Sequence, residues 1–362
     1  MSDGIIIRKQ DLETLLGSIR SQFITPYKDN IEAIHAISST TKLVDSSPLI
    51  ELSKLSKIIK AQSTKIGIIV QPEKIIESNL TAIYKEYKNL VESIFYLLSL
   101  LPLFYNDKHD TYAKFFLKKL DEPLLSLINA LTLLVDETEI NLKKEQNSND
   151  TEVVDKNRLI SIGMIWSVCD TLDDLSKKGN FGLLGDYIKS SSNLVDDVLN
   201  DIDEWFEAPE LGNDDAFFLD DESDSEEEQE VKGDKDDKEK EDALERMKVF
   251  LKEWQTNLKM IKLLLTSFNK SISMDTHKSK ENNAGMLDKF QELHLELGKK
   301  IDDFISDIFM SDSSFQAENF DDTIQLLNSD LTKMVSIIKK LSKNDAKKSK
   351  WIEVWDTKYF KK

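Results

Sequence analysis

The 362-residue sequence contains one cysteine, Cys169, which excludes an internal disulfide and a zinc site built from several cysteines. Glycine and proline are also scarce, with 11 and 6 residues, although strand-rich folds need both in their tight turns. The longest uncharged apolar stretch, residues 93–106, is too short to span a bilayer. The first residues hold only a three-residue apolar run, so no secretory signal is expected. These absences favour an all-α intracellular protein without a membrane span.

The negative charge is concentrated in one part of the chain. Residues 201–230 contain 15 Asp and Glu and no Lys or Arg, whereas the whole chain carries −19, so the remainder carries only −4. A net negative charge argues against nucleic acid as a direct ligand, because the phosphate backbone would repel the protein. The acidic block therefore interrupts a nearly neutral chain and is more typical of a partner-binding protein than of an enzyme.

Apolar residues in the second half recur every three or four positions, which on a helix forms one continuous stripe. Three such stripes are separated by short polar joints, and this arrangement predicts an antiparallel helical bundle. The sequence leaves open whether the first stripe is internal or dimeric. The stripes are Leu244, Met247, Leu251, Trp254, Leu258, Ile261, Leu265 and Phe268; then Leu287, Phe290, Leu297, Ile301, Phe304 and Ile308, with polar His294 in the slot between Phe290 and Leu297; then Ile324, Leu327, Leu331, Met334, Ile338 and Leu341.

The first half shows the same periodicity with less regularity, and the chain as a whole predicts about ten helices. Helix starts are expected at Pro48, Pro72 and Asp110, a second helix near residues 31–44, and a helix end at Gly179-Asn180. The predicted organisation is an N-terminal helical bundle at 1–209, an acidic disordered linker at 210–242, and C-terminal helical hairpins with a basic aromatic tail at 243–362.

The residues provide no catalytic constellation and no cofactor or metal site. His35, His109, His277 and His294 are far apart in the sequence, and one cysteine cannot complete a zinc-ligand spacing. Cys169 lies on an apolar helix face without a nearby basic group, so it is interpreted as a buried structural thiol. Loose acidic runs cannot hold an acid–base pair at fixed geometry. We therefore expect no enzymatic activity.

The acidic block permits two interpretations. It is either a solvated linker or a docking segment, because Phe217, Phe218 and Leu219 form a bulky apolar cluster between acidic residues. Ser223 and Ser225 each have a Glu three residues later, an offset that suits an acid-directed kinase. Both serines are predicted phosphorylation sites.

The C-terminal tail has the opposite charge. Residues 339–362 contain nine Lys and three acidic residues, and Trp351, Trp355 and Tyr359 recur every four positions. This aromatic face either packs on the bundle or, through Trp351 and Trp355, binds a partner. A contact between the tail and the acidic block is a further alternative, and it would weaken with salt.

One stretch resembles a known family. Gly163, Trp166, Cys169 and Asp170 form a G-x-x-W-x-x-C-D helix, followed by a Lys-rich turn and an acidic helix ending at Trp205. This pattern resembles the cyclin-D-interacting (cyclin-D-binding) protein family, and the chain is similar to a divergent, fungal-like member. The close match covers about 45 residues. Trp166, Cys169 and Trp205 are expected in the core of the N-terminal bundle.

The resemblance implies a non-enzymatic all-α adaptor that binds cyclin D and transcription or signalling factors. It also implies a role in cell-cycle progression and presence in both cytoplasm and nucleus. A second hypothesis, from a different class, is a vinculin-like helical scaffold linked to cytoskeleton or a membrane surface. Self-association through an apolar stripe stays open under both hypotheses.

Overall fold

The computed structural model describes residues 7–143, 151–211, 233–273 and 283–361. All regular elements in these ranges are helical, which confirms the predicted all-α class. The chain divides into two compact units, Met1–Leu183 and Leu184–Lys362. The α-helices are α1 Lys9–Ile19, α2 Ile31–His35, α3 Pro48–Ile69, α4 Glu77–Leu100, α5 Pro102–Tyr105, α6 Lys114–Lys143, α7 Thr151–Glu207, α8 Gly233–Ser273, α9 Ala284–Phe309, α10 Asp321–Leu341 and α11 Ala346–Phe360.

The first unit is organised around α4. Helix α3 packs along α4, while α1 contacts both α4 and α6. The α4 residue Tyr87 is completely buried, and its hydroxyl lies 2.5 Å from that of Thr138 on α6. Because a buried hydroxyl must find a polar partner, this pair fixes the register of α4 against α6.

Helix starts in the first unit differ from the predicted positions in two places. Pro72–Lys74 form a single 3₁₀ turn, and α4 begins at Glu77. The helix predicted at Asp110 begins at Lys114, because Asp110 adopts a left-handed conformation with φ 46°. Carboxylate oxygens of Asp107 accept the backbone N–H groups of His109 and Thr111, which holds this turn.

The helix predicted over residues 31–44 is also shorter than expected. Helix α2 ends at His35, and the following Ser/Thr-rich segment is not helical. Its Ser39 hydroxyl accepts the backbone N–H of Thr41, a local bond that competes with the helical ladder. Helix α3, in contrast, begins at Pro48 as predicted, with the Ser47 hydroxyl accepting the Ile50 N–H.

Helix α7 is interrupted at Gly179, whose φ of 55° and ψ of −161° are not helical. The next residue, Asn180, accepts the backbone N–H of Ala113 at 3.0 Å and donates to the Thr111 carbonyl at 2.8 Å. The predicted helix end at Gly179-Asn180 is thus a sharp break, tied to the start of α6. The division between the two units follows four residues later, and so precedes residue 209, the predicted end of the first domain.

The second unit contains the end of α7 together with α8 to α11. Helix α9 packs on α10, and α11 contacts α8 and α10. The α8 stripe is buried within this unit except for half-buried Leu244. An aromatic cluster fills one end of the core, where Trp254 and Phe304 meet edge to face at 4.6 Å and Phe250 contacts Phe315. The single chain therefore covers its own apolar stripe.

Candidate partner-binding surfaces

The G-x-x-W-x-x-C-D helix is the part of α7 that precedes the break. Cys169 faces the core and is 1% exposed. Burial, aided by the neighbouring Asp170 charge, raises the pKa of its thiol to about 12. Gly163 lies on the outer side, where an added methyl group would meet no atom of the described residues within 4 Å. The motif thus combines one inward-facing thiol with residues that are open to solvent.

Trp166 is 38% exposed, so the prediction that it belongs to the core is wrong. Its indole N–H donates to the hydroxyl of Thr64 on α3 at 3.0 Å. An indole N–H needs a polar partner, and a boundary position provides one without burying an unpaired donor. The ring therefore lies across the α3–α7 contact with part of its apolar surface in solvent.

Below Trp166, the contact between α3 and α7 is a ladder of polar pairs. Asp170 pairs with Lys60 at 2.6 Å, and Asp173 pairs with Lys57 at 3.3 Å and accepts the Ser53 hydroxyl at 2.5 Å. Partial burial alone would raise the pKa of Asp173, but hydrogen bonds from Lys177, Ser53 and Lys57 outweigh it and hold that pKa below its usual value. The motif residue Asp170 therefore orients α7 against α3.

Trp205 also lies outside the core of the N-terminal bundle, contrary to prediction. It belongs to the second unit, where it is half-buried and stacks on Phe309 with ring centroids 6.1 Å apart. Its indole N–H donates to the Glu210 carbonyl at 3.0 Å. Trp205 therefore secures the chain just after α7 ends.

The aromatic face of the tail forms α11 and packs mainly inward. Trp355 is 2% exposed, stacks on Tyr359 at 4.9 Å, and donates its N–H to the Met260 carbonyl at 2.8 Å. The prediction of Trp355 as a partner contact is therefore wrong, because its ring and its donor are both used within the second unit. Trp351 is half-buried and lines a cavity with Phe268 and Ile338.

The predicted sites in the acidic block lie outside the described residues. These are the apolar cluster Phe217, Phe218 and Leu219 and the phosphorylation candidates Ser223 and Ser225.

Other chemistry in the described ranges is limited. No group of three His, Cys, Asp or Glu side chains there has the geometry to hold a metal ion. His294 is fully buried, with Nδ1 at 2.9 Å from the Ser191 hydroxyl and Nε2 at 2.7 Å from the Gln291 amide oxygen. Within the same ranges, every helix is too short or too polar to cross a bilayer.

Two family models match this chain, and together they extend over most of its length. Residues 51–208 match "Grap2 and cyclin-D-interacting, N-terminal", and residues 219–336 match "Grap2 and cyclin-D-interacting, C-terminal". The chain belongs to the Grap2 and cyclin-D-interacting family. The motif helix lies inside the N-terminal match, whereas α11 follows the end of the C-terminal match. The family predicted from the motif is thus confirmed.

Two fungal proteins are similar to this family member. The uncharacterized protein YLR287C of Saccharomyces cerevisiae is 36% identical over 362 residues, covering 99% of each chain. The uncharacterized protein C22E12.18 of Schizosaccharomyces pombe is 21% identical over 229 residues, covering 63% of this chain and 65% of its own. The first similarity includes α11, which the family models do not reach.

Proposed function

We propose that this protein is a non-enzymatic helical adaptor that regulates cell-cycle progression or transcription by binding other proteins, with a D-type cyclin as the first candidate partner. The match of both halves to the Grap2 and cyclin-D-interacting family carries this proposal. The arrangement of candidate side chains is consistent with it. Trp166 presents part of a large aromatic surface on a rigid two-helix support, and such residues often anchor protein interfaces.

Direct binding to a purified D-type cyclin tests the proposal. Calorimetry with the full chain should give saturable binding, while a cyclin of another class serves as the control. A variant in which residues 212–232 are replaced by a Gly/Ser linker of equal length separates docking from linking. Weaker binding by this variant would assign contacts to the acidic block, and unchanged binding would make it a linker. Absence of binding by the full chain would refute the cyclin assignment.

The cellular part of the proposal includes presence in cytoplasm and nucleus and phosphorylation at Ser223 and Ser225. Each phosphate would add roughly −1.5 to −2 charges to an already acidic block. Mass spectrometry of the protein isolated from cells, with a Ser223→Ala/Ser225→Ala variant as the control, would detect the modification. Imaging of the same two forms would show whether phosphorylation changes the nuclear share. Unmodified serines in growing and arrested cells would contradict this part.

A further inference from the structure

Lysines are concentrated in three helical segments of the second unit. Residues 254–273, 331–343 and 345–361 together contain 12 Lys and 3 acidic residues. Their net charge is +9, whereas the net charge of the whole chain is −19. The first two segments, the ends of α8 and α10, contain no acidic residue at all.

Helix α11 holds these segments together. Its Trp355 donates to the Met260 carbonyl of α8 at 2.8 Å, and Lys348 donates to the Ser271 carbonyl at 3.4 Å. The carboxylate of Asp356 accepts a hydrogen bond from Nζ of Lys339 on α10, with Nζ and Oδ2 2.7 Å apart. Asp345 accepts the backbone N–H groups of Lys347 and Lys348, which places its charge at the start of α11. Two of the three carboxylates therefore serve to position the helix.

A cavity of about 310 Å³ opens between these segments. Phe268 of α8, Ile338 of α10 and Trp351 of α11 form its apolar walls. Lys270, Lys347 and Lys348 also line it, and among the residues that the structure describes no acidic side chain does. The volume is at the small end of the range of about 300–1,000 Å³ for ligand pockets. An apolar cavity with lysines at its edge requires a ligand that is bulky and apolar at its centre and anionic around it.

We propose that this cavity binds an acidic peptide segment of a partner protein, with a Phe or Leu side chain in the cavity and flanking carboxylates on the lysines. The proposal assumes from the adaptor role only that the ligand is a protein. A flat anionic membrane fits less well, because a helix on a membrane surface presents its aromatic residues outward. Trp355 and Tyr359 are instead buried in the unit.

The chain's own residues 214–222 have the required chemistry, but they reach the cavity only with difficulty. Helices α7 and α8 are antiparallel, with Asp203 beside Gln255 and Asp196 beside Lys262. Along α8, Phe268 lies about 50 Å from Gly233 at 1.5 Å per residue. The chain from Leu219 to Gly233 spans about 50 Å only when fully extended. A separate protein can present the same chemistry without this restriction.

The probe for the test is a fluorescent peptide of residues 213–223, used with the full chain in anisotropy titrations. Two control peptides separate the two contributions. In one, Phe217, Phe218 and Leu219 are replaced by serine with the charge kept. In the other, the acidic residues become amides with the apolar residues kept. Both should bind at least about tenfold more weakly, and binding of the native peptide should weaken with salt.

The matched protein variants keep the apolar walls and change only exposed lysines. Lys270→Glu/Lys347→Glu should reduce peptide affinity at least about tenfold, a change of about 1.4 kcal/mol. Lys85→Glu/Lys118→Glu makes the same charge change at exposed positions of the first unit and should reduce affinity less than about twofold, because neither lysine lines the cavity and exposed charges are screened by salt. Thermal unfolding of both variants shows that the fold is retained.

Several results would overturn the proposal. Equal binding of the native and serine peptides would show that the cavity is not used. Tighter binding to phosphatidylserine vesicles than to the peptide, lost in Lys270→Glu/Lys347→Glu, would assign the surface to membranes. Self-association lost in that variant would assign the cavity to a second copy. Stronger peptide binding after replacement of residues 212–232 would assign it to the chain's own segment. Peptide binding without cyclin binding would refute the cyclin assignment alone.

Discussion

Cys169 and Trp166 lie three residues apart on α7 but face different surroundings. The thiol is enclosed by the core, whereas the indole lies on the α3–α7 contact and is partly exposed. The interpretation of Cys169 as a buried thiol is confirmed, and the core assignment of Trp166 is not. Sequence periodicity places both residues near the apolar face. Only the packing of α3 against α7, where Thr64 contacts the indole, shows that Trp166 is partly exposed while Cys169 is covered.

The Cys169 thiol should be unreactive in the folded protein. With a pKa of about 12, roughly one thiol in ten thousand is ionised at pH 8, and the thiolate is the reactive form. A thiol reagent such as dithiobisnitrobenzoate should leave most Cys169 thiols unmodified after an hour under native conditions. In denaturant it should modify one site rapidly. Fast native labelling would show that the site opens or that the thiol is activated.

His294 should make stability depend on pH. Burial lowers its pKa to about 4, from an ordinary value near 6.5, so the folded state favours the neutral ring. Between these two values the unfolded chain binds more protons, so stability is lost as the pH falls. At pH 5 the loss relative to pH 7 should be about 2 kcal/mol.

Urea unfolding at pH 7 and pH 5 measures this loss. In the variant His294→Leu, the free energy of unfolding should fall by about 2 kcal/mol less between pH 7 and pH 5 than in the wild type. His109→Asn, at an exposed position, is the control for the removal of a histidine from the chain. Identical pH dependence of wild type and His294→Leu would show that His294 does not titrate as inferred.

At the scale of elements, the break in α7 depends on one glycine and one asparagine. The φ and ψ of Gly179 fall in a region that residues with a Cβ atom rarely adopt. The Asn180 side chain then replaces backbone bonds at the start of α6. A helix end was predictable here from the Gly-Asn pair, but the link to α6 was not, because it joins residues about 70 positions apart.

Two glycine substitutions in α7 should change stability in opposite directions. Gly179→Ala should cost about 1–3 kcal/mol, since alanine is strained at this conformation. Gly163→Ala should stabilise by about 0.5–1 kcal/mol, because alanine favours the helix and no atom of the described part of the chain lies within 4 Å of the added methyl group. Denaturant unfolding of the two variants compares them directly. A destabilising Gly163→Ala would indicate a close neighbour at that position.

At the scale of the whole molecule, the apolar stripe of α8 is covered within its own unit. The sequence alone left an internal and a dimeric arrangement open, because a stripe records burial but not the identity of the covering surface. In the structure, Leu251, Leu258 and Ile261 are completely buried by the chain itself. The stripe is thus not available for self-association in this fold.

The full chain should therefore be a monomer of 41.6 kDa over a wide concentration range. Light scattering at several concentrations measures the mass directly. Leu258→Asp should unfold the second unit rather than release monomers from a dimer, since a buried unpaired charge costs several kcal/mol. The exposed Leu263→Asp is the matched control on the same helix and should leave the fold intact. A concentration-dependent mass lost in Leu258→Asp would contradict the internal assignment.

The sequence by itself determined the helical class, the three stripes of the second half, the buried cysteine and, through the G-x-x-W-x-x-C-D helix, the family. These properties are local, because helical periodicity and motif spacing act over a few neighbouring residues. The tertiary structure decided that Trp166 is at a boundary, that Trp355 is buried against Met260, and that lysines from α8 and α11 line one cavity. Such outcomes depend on contacts between distant segments, and only the packed chain specifies them.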